Sequence, residues 1–337
     1  MARTTTDIAA VLIVRDEARS IARCLSSVAP WVDRMVVLDT GSTDDTIAIA
    51  RGLGAEVHHL DWPDSFAIAR NHALTLADAD WNLILDADEW IAGGGAVIRQ
   101  WCAAAPDRLG CPCIHNEAGR ADMALRSWVT RLVPRGVFYE GRVHEQVTSP
   151  LPRHRIALDI GHDGYHAAQI ERKKDRNHHL LLDDLAERPD DAYLLYQLGK
   201  DSQMRGDIPA GCDYYARALA ATAPTANWRH ELVINAIPFL AKAGRLDDAL
   251  ALADGEFANW PESPDYFFIL GDLLLDLALA EPDRALGHWL PLAEGAWEHC
   301  LAIGERPHLE GSIAGRGSHL AQHNLDVIRS QLAMLAA

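Results

Sequence analysis

Apolar residues in the first half of the chain fall into short unbroken runs, separated by stretches where they recur with a helical period. IAAVLIV (8–14) is such a run, rich in β-branched residues, and predicts a buried strand. DEARSIARCLSSVAP (16–30) then predicts a helix, RMVVLD (34–39) a second strand and STDDTIAIARGLG (42–54) a second helix. Ser42, with Asp45 three residues on, reads as a shortened capping box for that helix, and glycines stand at its far end. AEVHHL (55–60), DSFAIARNHALTLADA (64–79) and WNLILD (81–86) continue as strand, helix and strand. Strands alternating with helices at this spacing predict a mostly parallel, Rossmann-like α/β sheet.

Past residue 168 the strand pattern stops. The chain reads as an α/β domain over 1–168 and an all-α domain over 169–337. AYLLYQLGKDSQMRGDIPAGCDYYARALAATAP (192–224) pairs two helices about Gly206-Asp207 and resembles a tetratricopeptide unit, with Leu198-Gly199, Tyr215, Ala218 and Pro224 in place. A second copy spans 231–261, with Gly244, Ala249 and Pro261 at matching offsets and Ala236-Ile237 where Leu-Gly belongs. PDYFFILGDLLLD (264–276) opens a third copy, stretched before AEGAWEHCLAIGERP (293–307), and GSHLAQHNLDVIRSQLAMLA (317–336) is a closing helix. Such units stack into a solenoid whose concave face suits a partner.

Composition narrows the class. The 337 residues, 49% hydrophobic and 23% charged, suit a globular protein of two domains. A formal net charge of -17 sets the chain against nucleic acid and anionic lipid. No apolar run approaches the ~20 residues that cross a bilayer, and MARTTTDIAAVLIVRDEARS is not a secretory signal, so a cytoplasmic protein is expected. The 6 cysteines are too sparse for a disulfide framework. Cys111-Pro112-Cys113 lacks a second thiol pair to complete a zinc site, so reduced thiols are expected there.

Candidate chemistry centres on ADADWNLILDADEW (77–90), which holds one tripeptide twice. Asp78-Ala79-Asp80 falls after the third helix and predicts a solvated turn. Asp86-Ala87-Asp88 falls where the fourth strand leaves the sheet, the edge at which open α/β sheets bind ligands. Asp39 ends the second strand at the same edge, where a carboxylate can accept from a base or a ribose.

VLIVRDEARSI (11–21), VVLDTGSTDDT (36–46), FAIARNHAL (66–74) and WNLILDADEW (81–90) together resemble the successive motifs of a family 2 glycosyltransferase with the GT-A fold. RSWVTRLVPRGVFYEGRVHEQV (126–147) continues that pattern. The stretch 159–199 resembles the junction in bacterial members that carry a C-terminal tetratricopeptide domain, a layout shared by peptide glycosyltransferases of the glycocin type.

The resemblance implies a UDP-sugar donor and a divalent metal, Mn²⁺ or Mg²⁺, on its diphosphate. Asp88 becomes the direct metal ligand and Asp86 a contact to the ribose or, through water, the metal. Asp39 becomes a contact to uracil or ribose, beside backbone around Val14 and Glu17. Arg70 pairs with the diphosphate or pins Asp39 or Asp88. Glu145 is the candidate base that deprotonates the acceptor and His144 the candidate third metal ligand, with Glu140 and Glu89 as alternative bases. Adjacent side chains on a regular strand point oppositely, so both roles require the chain to end or bend there. His162 and His166, flanking Gly164-Tyr165, line the acceptor side, close the donor pocket or serve a hinge. Arg172-Lys173-Lys174 is a solvated face or a guard on the donor phosphates.

The family inverts the anomeric centre in a single displacement. The acceptor is a peptide or protein side chain, or else a saccharide or small metabolite, and the helical domain holds it, dimerises, or both. A second class is an inactive adaptor that binds proteins. A sugar nucleotidyltransferase is excluded, because Arg15-Asp16-Glu17-Ala18-Arg19 stands where such enzymes need a glycine-rich loop.

Overall fold

The computed structural model describes residues 6–116, 126–163 and 167–336. The first compact unit runs through Asp184, the second from Leu185, so the division falls inside one helix. Strands of the first unit are β1 (Ile8–Val14), β2 (Arg34–Asp39), β3 (Glu56–His59), β4 (Trp81–Ile84), β5 (Glu89–Gly93), β6 (Leu109–Asn116), β7 (Arg126–Trp128), β8 (Leu132–Pro134), β9 (Phe138–Glu140), β10 (Gln146–Thr148) and β11 (Arg153–His162). Its helices are α1 (Ile21–Val28), α2 (Thr46–Gly52), α3 (Phe66–Ala77), α4 (Ala96–Cys102) and α5 (Ala167–Glu187), the last crossing into the second unit.

Nine strands form one sheet in the order β3-β2-β1-β4-β8-β6-β11-β5, with β7 on β6, while β9 and β10 pair separately. β1 lies parallel to both β2 and β4, with Val14 opposite Asp39. Unbroken apolar runs fit this position, since β1 packs both faces: Ala10, Leu12 and Val14 enter one core while Ala9 and Val11 enter the other. Each fully buried Leu or Ile there contributes about 1.5–3 kcal/mol. Beyond β4 the sheet becomes mixed. β8 is antiparallel to β4 and β6 to β8, so two reversals restore the original direction in β6 and its parallel neighbour β11.

Local chemistry corrects the expected start of α2. Asp45 caps it with no side-chain hydrogen bond. Ser42 Oγ instead accepts from the Asp16 amide at 2.9 Å, and Asp44 accepts from the Thr46 amide at 2.9 Å. Ser42 thus ties the β1 exit to the β2 exit, and the helix begins four residues after it. α3 behaves as a capped helix should: Ser65 Oγ accepts from the Ile68 amide at 3.2 Å.

Helices of the second unit pair as the repeat pattern predicts: α6 (Ala192–Arg205) with α7 (Ile208–Ala221), α8 (Arg229–Lys242) with α9 (Leu246–Glu256), and α10 (Pro264–Ala280) with a later partner. Gly206 and Gly244 end α6 and α8 with φ of 74° and 76°, backbone that a side chain would strain. Gly199 has a different reason: a Cβ there would lie 2.8 Å from the Tyr215 ring, so the glycine lets the two helices of the first pair close. The stretch in the third copy is a short helix α11 (Pro282–Arg284) and a π-helical turn (Ala285–Trp289), after which α12 (Leu290–Ile303) packs on α10 and α13 (His319–Ala336) on α12. No helix among the described residues is long and apolar enough to cross a membrane.

Candidate active site

Strand direction gathers the chemistry. β1, β2, β4, β6 and β11 all run the same way, so Val14, Asp39, the Asp86–Asp88 segment and His162 emerge at one edge of the sheet. β5 runs against β11 and starts at that edge, where Glu89 pairs with His162. β8 runs against β4 and also starts there, preceded by Arg131, whose carbonyl accepts from the Ile84 amide at 2.8 Å.

Two arginines and three carboxylates form the centre. Arg131 Nη2 donates to Asp86 Oδ2 at 2.9 Å and Glu89 Oε1 at 2.6 Å. Arg70 Nη2 reaches Asp86 Oδ1 at 3.2 Å and Glu145 Oε1 at 2.6 Å, and its Nε donates to Glu145 Oε1 at 2.8 Å. Burial disfavours charge on Asp86, but Arg131 and Arg70 overcome it and hold that carboxyl far below the ordinary range. Glu89 has the opposite outcome. Burial dominates over Arg131, the charge on Asp86 adds to it, and its carboxyl is pushed up to about 7. Among the described residues, Arg70 Nη1 and Arg131 Nε are buried without an acceptor.

The β9–β10 turn delivers Glu145. Asn71 of α3 donates to the Tyr139 carbonyl at 2.9 Å and accepts from its amide at 2.8 Å, so α3 grips β9 directly beside Arg70. His144 lies in the turn with φ 52°, so the chain bends here instead of continuing as a regular strand. Glu145 joins Arg70 and His144 is exposed.

The imidazole against the second aspartate is His162. Its Nε2 stands 3.7 Å from Asp88 Oδ1, with both side chains largely buried. Burial works to lower the His162 pKa, but Asp88, with Glu89 and Asp86 behind it, raises it above its usual value. Asp163 fixes this strand end: its amide donates to the Asp88 carbonyl at 3.2 Å, and its carboxylate holds Arg19 at 3.2 Å and also Arg23. Arg23 lies over the Trp90 ring, 3.7 Å from its centroid. Two ligand atoms each about 2.1 Å from one hard cation stand between about 3.0 and 4.2 Å apart, so the Asp88–His162 pair has the spacing and donor atoms to share a divalent metal.

Asp39 is 1% exposed and built into its turn. It accepts from the Gly41 amide at 3.0 Å and the Ser42 amide at 3.2 Å, with His59 Nδ1 at 3.4 Å. Burial would raise its carboxyl, but these donors keep it below the ordinary value, as a carboxylate able to accept more. The Val14 carbonyl already takes the Thr40 amide and hydroxyl, at 2.9 and 3.0 Å. The Glu17 amide donates to Thr46 at 2.7 Å, and its carbonyl accepts from Ser20 and Ile21. Both backbones therefore shape the edge around Asp39 through bonds within the chain.

Arg70 corrects one expectation, since it pins Asp86 and Glu145 rather than Asp39 or Asp88. Asp78-Ala79-Asp80 is the expected exposed turn, and it is braced as well: Arg135 bridges the two carboxylates, and Asp80 Oδ2 accepts from the Asp7 amide at 3.0 Å. Sequence reasoning missed Arg131 and Asp163. Arg131 stands inside 126–147 with no spacing rule to single it out, while Asp163 adjoins the candidate His162. Gly164, Tyr165 and His166 lie outside the described residues, as do the side chains of Arg172-Lys173-Lys174.

A parallel-centred sheet with acidic residues at its carboxyl edge, followed by paired helices, defines a GT-A-like domain with a tetratricopeptide-like helical region. Residues 9–152 match the model of glycosyl transferase family 2. A TPR repeat-containing protein of Synechococcus elongatus is 34% identical over 71% of this chain and 63% of its own length. The prophage-derived glycosyltransferase SunS of Bacillus subtilis is 27% identical over 64% of this chain and 54% of its own. The chain thus spans between half and two thirds of the length of these relatives. Glucosyl-3-phosphoglycerate synthase of Mycobacterium tuberculosis, crystallised with Mn²⁺, UDP and glucosyl-3-phosphoglycerate, overlaps 35% of this chain and 46% of its own at 23% identity. Its TM-score of 0.29 is too low to inform the site.

Proposed function

We propose that the protein is a metal-dependent inverting glycosyltransferase that moves a sugar from a UDP-sugar, a hexose or N-acetylhexosamine, to a peptide or protein side chain. The observation that carries this reading is the meeting of Asp88, His162, Asp86 and Asp39 at one sheet edge, backed by two buried arginines. The family match and the glycosyltransferase among the relatives support it.

Asp88 and His162 hold the cation in this reading, and the imidazole role assigned to His144 passes to His162. A Mn²⁺ or Mg²⁺ held by these two residues would neutralise charge on the departing diphosphate. Asp39 accepts from the uracil or the ribose. Asp86 is kept ionised by Arg131 and Arg70 beside the ribose, and the Arg70 charge favours the diphosphate. Glu145 takes the acceptor proton as the acceptor attacks from the opposite side, and Arg70 sets its position. The helical region holds the acceptor.

Thermal stability against a panel of nucleotide sugars, each with and without Mn²⁺, tests the donor. Stabilisation by one UDP-sugar only with metal supports the reading. Silence across the panel leaves an adaptor with a relic sheet. Glu145→Gln is expected to lower kcat by about 10²–10⁴ with KM little changed. An unchanged kcat moves the base to Glu89 or Glu140.

A further inference from the structure

The sheet carries a second cluster of donors, three side chains that the proposed reaction does not use. Cys113 and His115 are two apart on β6 and share a face, and Asp159 lies directly opposite Cys113 on β11. One ligand atom from each of the three lies within 4.8 Å of the others. His115 Nε2 and Asp159 Oδ1 are already 2.7 Å apart. Burial grades outward: Cys113 is 5% exposed, while the His115 and Asp159 side chains are 33% and 53% exposed.

A surface His–Asp pair alone would be a weak ion pair. The thiol beneath it changes the chemistry. Both ladders of β11 slip at Asp159, against β6 between Arg155 and Asp159 and against β5 between Asp159 and Ile160. Such irregularities shift the register, and here the shift places a carboxylate opposite the thiol. Asp159 and His162 stand on the same strand, where Leu158 and Ile160 both enter the core, so strand alternation turns Asp159 outward.

We propose that Cys113, His115 and Asp159 form a second metal site, selective for a borderline transition-metal cation such as Zn²⁺ over the hard Mn²⁺ or Mg²⁺. Thiolate, imidazole and carboxylate suit zinc, and three protein ligands leave a fourth position for water. Binding replaces the Cys113 S–H bond by a sulfur–metal bond, and the proton goes to solvent. The His115–Asp159 hydrogen bond gives way to two bonds to the cation, with the imidazole neutral and its proton on the other nitrogen. Thiolate and carboxylate together balance the 2+ charge, so the site gains no net charge to desolvate. The cysteine spacing alone could not have found it, because the partners of Cys113 are an imidazole two residues on and a carboxylate from the neighbouring strand, not a second thiol pair.

Co²⁺ titration of the chelator-treated, reduced full chain tests the site, since cobalt reports thiolate ligation by charge-transfer absorption. One equivalent should produce that absorption, and Zn²⁺ should displace it while Mn²⁺ does not. Cys113→Ser should abolish the band. Asp159→Asn, at an exposed position that does not threaten folding, should weaken cobalt binding at least about tenfold, in line with the 10–100-fold cost of losing even an outer partner of a metal ligand. Cys111→Ser and Asp88→Ala should leave the band unchanged. No thiolate band in the wild type, a band that survives Cys113→Ser, or equal affinity in Asp159→Asn would each overturn the proposal.

Discussion

The tripeptide Asp-Ala-Asp occurs at 78–80 and at 86–88, eight residues apart and with the strand β4 between, and the two copies have different surroundings. The first is bridged by Arg135, whose side chain is 45% exposed, between carboxylates 71% and 40% exposed. The second meets Arg70 and Arg131, 4% and 11% exposed, and splits its roles: Asp86 goes to the arginines and Asp88 to His162. The same residues at opposite ends of one strand therefore do unlike work. Strand direction decides which pair faces the ligand edge, and the depth of the arginines decides how strongly each carboxylate is held.

The largest effect is expected from Arg131→Ala. Breaking a buried pair costs about 3–5 kcal/mol because it strands an unpaired charge. The stranded group here is chiefly Glu89, since Asp86 keeps Arg70 as a second partner. Glu89 can escape by taking a proton. Its folded pKa of about 7 lies above its ordinary 4.5, so the folded state binds that proton more tightly and wild-type stability falls as pH rises from 4.5 to 7. Without Arg131 the folded pKa rises further and the fall extends past 7. Urea denaturation should thus show a wild-type-to-variant gap that widens from pH 6 to pH 8. A gap independent of pH would mean that Arg131 acts through packing alone, and the contrast between the two aspartate pairs would lose its electrostatic basis.

Asp88→Ala comes next. With donor and Mn²⁺ at ~100 times the dissociation constant, the wild type should gain about 2.7 kcal/mol of stability and the variant none. Asp80→Asn should keep the full gain. Equal gains in all three proteins would show that the second copy is no more a ligand site than the first.

Much of this contrast is legible in the sequence alone. The first four strands fall within a few residues of their expected positions, because β1, β2 and β4 are buried on both faces and their apolar runs have no other solution. The helical pairs are equally readable, since Gly206 and Gly244 mark turns that the backbone geometry demands. What a local pattern cannot supply is anything set by strand order. Arg131, His162 and Asp163 enter the site because β8 is inserted beside β4 and two reversals set β11 beyond β6 in the same direction as β4, and no local period encodes that order. The capping reading of Ser42 fails for a related reason: its partner, the Asp16 amide, lies on another loop, and a non-local bond overrides the local motif. Glu145 is reachable because the need for a bend has a local answer in the left-handed His144.

The smallest effect is expected at the first copy. Arg135→Ala removes a bridge between exposed groups, and such bridges contribute about 0–1 kcal/mol. The corner has other support: the Asp80 carboxylate keeps the Asp7 amide, and the Asp80 carbonyl keeps the Arg135 amide at 3.1 Å, which the substitution does not touch. Loss of the side chain should therefore lower stability by no more than about 1 kcal/mol, with less effect in high salt, and leave metal-dependent donor binding intact. A loss comparable to that of Arg131→Ala would mean that the corner sets the register of β4, and through it the position of Asp86 and Asp88. The two copies would then be coupled through the strand they share rather than independent.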